Sequence, residues 1–110
     1  MLEESIISKL ESLRLRSTEI HEALANEGAT DDIVQFTKLN KEYSEITPIV
    51  DLFKSLQDAE NELNGAKELL DSADLELIEL AKIEVTSNQE KIKKKKKSLK
   101  FMLLPKDEAD

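Results

Sequence analysis

Side chains that could do chemistry are few and scattered along this chain. His21 is the only histidine, and the chain has no cysteine. Nucleophilic catalysis needs a base beside a nucleophile, and a structural metal site needs several nitrogen or sulfur ligands. A lone imidazole next to Ile20 on a predicted helix supplies neither, so we interpret His21 as a surface residue. We expect no catalytic residue, no metal site and no cofactor.

Carboxylates are abundant, and some are adjacent, such as Asp31 with Asp32 and Glu3 with Glu4. General acid-base catalysis requires a pocket that shifts the pKa of such groups. A thin helical protein offers no pocket of that kind. The acids are therefore interpreted as solvated helix faces, and the chain is predicted not to be an enzyme.

The last four residues, 107–110, spell DEAD, the acidic motif of a helicase. That motif works beside a phosphate loop of the form G-x-x-x-x-G-K-[ST], and neither Gly28 nor Gly65 can begin one. Pro105 would also deny a central strand one of its hydrogen-bond donors. These observations exclude a helicase ATPase.

Lysine is concentrated in one run. It comprises Lys93, Lys94, Lys95, Lys96 and Lys97, flanked by Lys91 and Lys100. Residues 91–110 carry 8 basic and 3 acidic side chains, whereas residues 1–90 carry 8 basic and 21 acidic side chains. The net charge of the whole chain is −8. Consecutive residues on a helix spread charge on every side. Two interpretations stay open: a solvated face whose lysines pair with acids of neighbouring helices, and a patch that contacts phosphates. We expect no direct DNA binding.

Composition predicts the elements that carry these residues. Two glycines, two prolines, 36% charged and 4% aromatic residues indicate an almost entirely helical chain. Apolar residues recur at steps of three and four over three segments, about 3–26, 31–70 and 74–102. The stripe of the first segment includes Leu10 and Ile20, and that of the second includes Ile46 and ends at Leu70. The stripe of the third segment consists of Ile78, Ala81, Val85, Asn88, Ile92, Lys95, Leu99 and Met102.

Turn and cap residues separate the segments. Gly28 suits a helix end because glycine adopts the left-handed conformation without steric cost, and Thr30 or Asp31 would cap the second helix. Ser72 or Asp74 would cap the third. Pro48 predicts a kink in the second helix or a restart of it, and we favour the kink.

Three long amphipathic segments with short connections must fold back on one another to bury their stripes. The predicted fold class is all-α, an elongated antiparallel three-helix bundle or coiled-coil-like hairpin with a kinked second helix. No apolar run approaches the length of a membrane span, and the N-terminus lacks the basic start of a signal peptide. We therefore expect no membrane association and a cytoplasmic location.

Four stretches carry a resemblance along the whole chain: KLESLRLRSTEI, FTKLNKEYSEITPIVDLF, AKELLDSADLELIELAKIEV and, the most specific, LLPKD. With these the chain resembles the N-terminal domain of the bacterial release factor 1 family, the peptide chain release factors that read UAA and UAG. The lysine run departs from that family, where this stretch is more mixed in charge.

The resemblance implies a ribosome-contacting or regulatory domain near the stalk base of the large subunit. It implies that residues 1–104 form the domain and that residues 105–110 begin a linker to downstream domains. Leu103 and Leu104 would dock the end of the third helix, and Pro105 would end it. The family's Gly-Gly-Gln and codon-reading Pro-x-Thr tripeptides are absent, so a fragment is expected and no catalytic residue carries over.

A second class of protein fits the same stripes. A free-standing helical adaptor or small chaperone would bind proteins through apolar side chains near the helix ends. Exposure of Phe101, Met102, Leu103 and Leu104 discriminates between the two hypotheses. Packed side chains favour the linker, and bare ones favour binding of a client or of a second copy.

Overall fold

The computed structural model describes residues 2–105. Within that range it contains three α-helices, α1 (Glu4–Ala25), α2 (Ile33–Leu69) and α3 (Leu75–Met102), a short 3₁₀ turn at Ala29–Asp31, and no strand. The all-α prediction is confirmed, and each helix boundary lies within two residues of its predicted position. The linker predicted at 105–110 lies outside the described residues except for Pro105. The chain divides into two units, Met1–Asp51 and Leu52–Asp110, and α2 contributes to both.

The first unit is a helical hairpin of α1 and the first half of α2. Its buried apolar side chains include Leu10 and Ile20 from α1 and Ile46 from α2. Leu10 and Ile20 both belong to the predicted α1 stripe, which confirms the inward face of this helix. The hairpin turns through Gly28, whose φ of 84° lies in the left-handed region that the sequence predicted for it.

The start of α2 corrects the predicted cap. The backbone N–H of Gln35 donates to Oδ1 of Asp32 at 3.1 Å, so Asp32 caps the helix and not Thr30 or Asp31. Thr30 and Asp31 instead lie in the 3₁₀ turn, where the Asp31 N–H donates to the Gly28 carbonyl. Because of this 3₁₀ turn, the cap of α2 lies one residue after Asp31, the later of the two predicted cap positions.

Replacement of each glycine by alanine is expected to change stability in opposite directions. At Gly28 a Cβ atom would meet the Asp31 carboxylate at 2.9 Å in a left-handed conformation, so we expect a loss of about 1 kcal/mol. At Gly65, inside α2, a Cβ atom meets nothing within 4 Å, so we expect a gain of about 0.5–1 kcal/mol. Urea unfolding followed by circular dichroism measures both, and two changes of the same sign would contradict this account of the turn.

Helix α2 runs without a break through Pro48. Proline has no N–H to donate to the Ser44 carbonyl, yet nearby hydroxyls bond to the same stretch of backbone. Oγ1 of Thr47 donates to the Tyr43 carbonyl, and Oγ of Ser44 donates to the Lys41 carbonyl at 2.8 Å. A restart of the helix at Pro48 is therefore wrong, whereas the kink stays a prediction.

The second unit is a hairpin of the second half of α2 and helix α3. Asp74 caps α3 by accepting from the N–H groups of Glu76, at 2.9 Å, and Leu77, which confirms one of the two predicted caps. The inward side chains are Phe53, Leu56, Ala59 and Ala66 from α2 and Ala81, Asn88, Ile92 and Leu99 from α3. The α3 stripe was therefore predicted correctly along most of its length.

The last residue of each predicted stripe in this unit is exposed. Leu70 follows the last residue of α2, and Met102 is the last residue of α3; each is 36% exposed. Apolar periodicity does not show where the facing helix ends, which is why these two positions were assigned to the core. The expected docking of Leu104 is also wrong, because its side chain is 51% exposed, while Leu103 is half-buried.

Candidate functional site

His21 and the adjacent acids, which the sequence offered as candidates for chemistry, lie on helix surfaces or at a helix cap. His21 is exposed on α1, with its ring centroid 6.0 Å from that of Tyr43. Asp32 of the adjacent acid pair caps α2. Across residues 2–105, no three histidine or carboxylate side chains converge in a way that could hold a metal ion.

One bidentate ion pair joins the two helices of the first unit. Nε and Nη2 of Arg16 donate to the two carboxylate oxygens of Glu42 at 2.7 and 2.9 Å. These hydrogen bonds lower the pKa of Glu42 and raise the pKa of Arg16. Both side chains remain about 40% exposed, so solvent screens the pair and its role is to align the helices. Apolar periodicity does not indicate this contact, which was not predicted.

An exposed apolar surface lies on the first half of α3. Leu75, Leu80 and Ile83 are 77%, 59% and 67% exposed, and they line two shallow depressions that share Glu79. We call this the α3 apolar surface. Glu76 and Glu79 border it, and Nζ of Lys82 donates to Glu79 at 3.2 Å. Sequence reasoning missed this surface, although Leu80 and Ile83 fall off the buried stripe, which was the available signal.

The lysine run occupies the second half of α3, and burial differs along it. Lys93, Lys94 and Lys97 are exposed, whereas Lys95 and Lys96 are half-buried. Lys91 and Lys95 line a groove with Ser55, Asp58, Ala59 and Glu62 of α2. In the described part of the chain no lysine of the run lies within 4.0 Å of a carboxylate oxygen. Within residues 2–105 these lysines are therefore not held in close ion pairs.

The end of α3 exposes a second group of apolar side chains. Phe101 is 71% exposed, Leu104 is 51% exposed and Met102 is 36% exposed. The helix ends at Met102, and the Leu103 N–H donates to the Leu99 carbonyl at 3.1 Å, so Pro105 follows the helix as predicted. Exposure of these apolar side chains favours the hypothesis that this end of α3 binds another molecule.

Among residues 2–105 the structure is all-helical, and large apolar side chains are exposed on α3. Comparison with protein families identifies the domain, because the model of the PCRF domain matches residues 13–110. The chain belongs to this family, the peptide chain release factor domain. No solved structure matches the chain.

Family membership gives the general function. The PCRF domain is a domain of translation termination factors and implies interaction with the ribosome. A PCRF domain is not by itself a catalytic enzyme domain. Among the described residues, no helix has the length and apolar character needed to cross a bilayer.

Proposed function

We propose that this chain is the non-catalytic, ribosome-contacting N-terminal domain of a factor that terminates protein synthesis at UAA and UAG. In this proposal residues 1–104 form the domain, and residues from Pro105 onwards lead to further domains that read the codon and trigger hydrolysis of peptidyl-tRNA. The resemblance of the LLPKD segment to the UAA- and UAG-reading family supports the codon assignment.

The α3 apolar surface is the observation that carries the contact role. Three large apolar side chains at 59% exposure or more are unusual on a helix whose opposite face is well buried. Glu76 and Glu79 beside them repel phosphate, so this surface suits a basic protein and not the RNA backbone. A protein of the stalk base on the large subunit is therefore the proposed partner of this surface.

Sedimentation with ribosomes tests the contact role. We expect the double substitution Leu80→Gln and Ile83→Gln to weaken binding tenfold or more, because exposed apolar anchors at the centre of an interface contribute most of the affinity. The matched control is Ile33→Gln with Val34→Gln, since these side chains are also 62% and 66% exposed but lie in the first unit. The control should bind as the wild type does.

Two results would contradict the contact role. The first is unchanged binding by the Leu80 and Ile83 variant. The second is equal weakening by both variants, which would show that general surface hydrophobicity and not the α3 apolar surface controls binding. Large subunits stripped of their stalk-base proteins test the partner, because wild-type binding should fall on them to the level of the variant.

A helical adaptor or small chaperone remains the second candidate, and the exposure of Phe101 and Leu104 favours it. An adaptor would bind unfolded or apolar clients through this end of α3 and would not need the ribosome. Suppression of aggregation of an unfolded client protein, lost on Phe101→Ser, would support it over the termination role.

A further inference from the structure

We propose that Lys93, Lys94, Lys97 and Lys100 form a binding site for the phosphate backbone of an RNA duplex. We call these four residues the outer lysine row. The choice of RNA as the polyanion rests on the ribosome-contacting role proposed above. The row lies on the second half of α3, away from the acidic border of the α3 apolar surface.

The fold separates the lysines in a way that the sequence does not reveal. Successive residues of an α-helix are about 100° apart, so a free lysine run would surround the helix. Ile92 and Leu99 are buried, at 8% and 0% exposure, which fixes the inward side of this part of α3. The four members of the outer lysine row are all exposed and fall within an arc of roughly 120° opposite that side.

The remaining lysines have different surroundings. Lys91 and Lys95 line the groove that also contains Asp58 and Glu62 of α2, so acids of the same protein offset their charge. Lys96 is half-buried on the other flank. Glu90 is also exposed, one turn before Lys93 and Lys94, but within residues 2–105 no lysine of the outer lysine row lies within 4.0 Å of a carboxylate oxygen. The row can therefore contact a partner's phosphates.

The spacing of the row fits a sugar-phosphate backbone. Lys93 and Lys100 are seven residues apart, or about 10 Å along the helix axis, so the row is long enough to reach more than one phosphate of a nucleic-acid strand. Lysine contacts phosphate as a mobile point charge and does not read base edges with a fixed geometry. Binding should therefore depend on charge and duplex shape, and it should not depend on base sequence.

The outer face of this part of α3 does not suit a membrane. Its apolar residues between positions 90 and 100 are Ile92 and Leu99, and both are buried. A helix that lies on a bilayer needs an apolar face to insert beside its basic face. The exposed apolar side chains of Phe101, Met102 and Leu104 lie past Lys100, the last lysine of the row, and do not form an apolar face alongside it. An anionic lipid surface is therefore the alternative that the test must exclude.

Charge elsewhere in the chain limits the affinity. Residues 1–90 carry 8 basic and 21 acidic side chains, so every other approach to RNA is repelled. We expect dissociation constants of roughly 10⁻⁴ to 10⁻⁵ M at low salt, typical of binding without sequence preference. Each lysine-phosphate contact should contribute about one unit to the slope of log affinity against log salt concentration.

Fluorescence anisotropy with a labelled RNA duplex of about 16 base pairs tests the proposal on the whole chain. The test variant is Lys93→Gln with Lys97→Gln, and the matched control is Lys91→Gln with Lys95→Gln, which removes the same charge from the groove side. We expect the test variant to weaken binding fivefold to tenfold and to reduce the salt slope by about two. The control should change affinity less than threefold and retain the slope.

Three results would overturn the proposal: no binding of the wild type to the duplex at low salt, equal weakening by both variants, or tighter binding to vesicles of phosphatidylserine and phosphatidylcholine than to RNA. Glutamine has nearly the helix propensity of lysine, so all variants should retain wild-type helicity by circular dichroism. This assay contains no ribosome, so a negative result would not contradict the contact role of Leu80 and Ile83. A negative result in the sedimentation experiment would likewise not contradict RNA binding by the outer lysine row.

Discussion

Leu56→Ala is expected to lower the free energy of unfolding by about 3 kcal/mol. The Leu56 side chain is 1% exposed and lies between Phe53 and Ala59 on the inward face of α2, both of them buried. Its truncation removes buried apolar area and leaves a cavity that a close-packed hairpin fills only in part. A domain of this size has about 5–15 kcal/mol of stability in total, so the loss should be large in urea unfolding.

Leu80→Ala is the matched control for this prediction. It makes the same chemical change, but the Leu80 side chain is 59% exposed, so stability should change by no more than about 0.5 kcal/mol. A cost below about 1 kcal/mol at Leu56 would contradict the assignment of its side chain to the core. A similar loss of unfolding free energy for Leu56→Ala and Leu80→Ala would show that the Leu80 side chain is buried in solution.

Asn88→Leu is expected to raise the free energy of unfolding by about 1–3 kcal/mol. Asn88 is 4% exposed on the inward face of α3, and its Oδ1 accepts no hydrogen bond in the described part of the chain. A buried acceptor without a partner carries the full cost of its desolvation, and an apolar side chain of similar length removes that cost. Urea unfolding measures the gain.

Asn88→Asp provides the opposite change at the same site. It places a charge where Oδ1 is buried, so we expect a loss of stability that grows as pH rises above the ordinary pKa range of aspartate. If Asn88→Leu is instead less stable than the wild type, Oδ1 has a partner in solution, such as a buried water molecule. A polar residue at a core position also fixes the alignment of two helices, so the leucine variant is the one in which alternative pairings should arise.

The helices and their inward faces could be predicted from apolar periodicity because burial repeats every three to four residues. Leu10, Ile20, Ile46 and Leu99 all lie where that pattern placed them. The cap at Asp32 could not be predicted, since a 3₁₀ turn and an early α-helix start have the same local composition. The expectation that Leu104 docks the end of α3 was wrong, because the sequence does not show whether a facing helix is present at that point.

The functional surfaces were less predictable than the core. The lysine run was visible, but its division into an outer row and a groove side depends on which face of α3 packs against α2. That face is fixed by the burial of Ile92 and Leu99, which is a tertiary property. Leu80 and Ile83 would have been found by asking which large apolar residues the buried stripe leaves out.

Sequencing the transcript of the source gene beyond codon 110 tests whether this chain is the first, non-catalytic domain of a factor that ends translation at UAA and UAG. An open frame that encodes a Pro-x-Thr tripeptide and, after it, a Gly-Gly-Gln tripeptide is the result expected from the proposed function. A stop codon directly after Asp110 would contradict it and would leave a helical protein whose exposed Phe101 and Leu104 serve another partner.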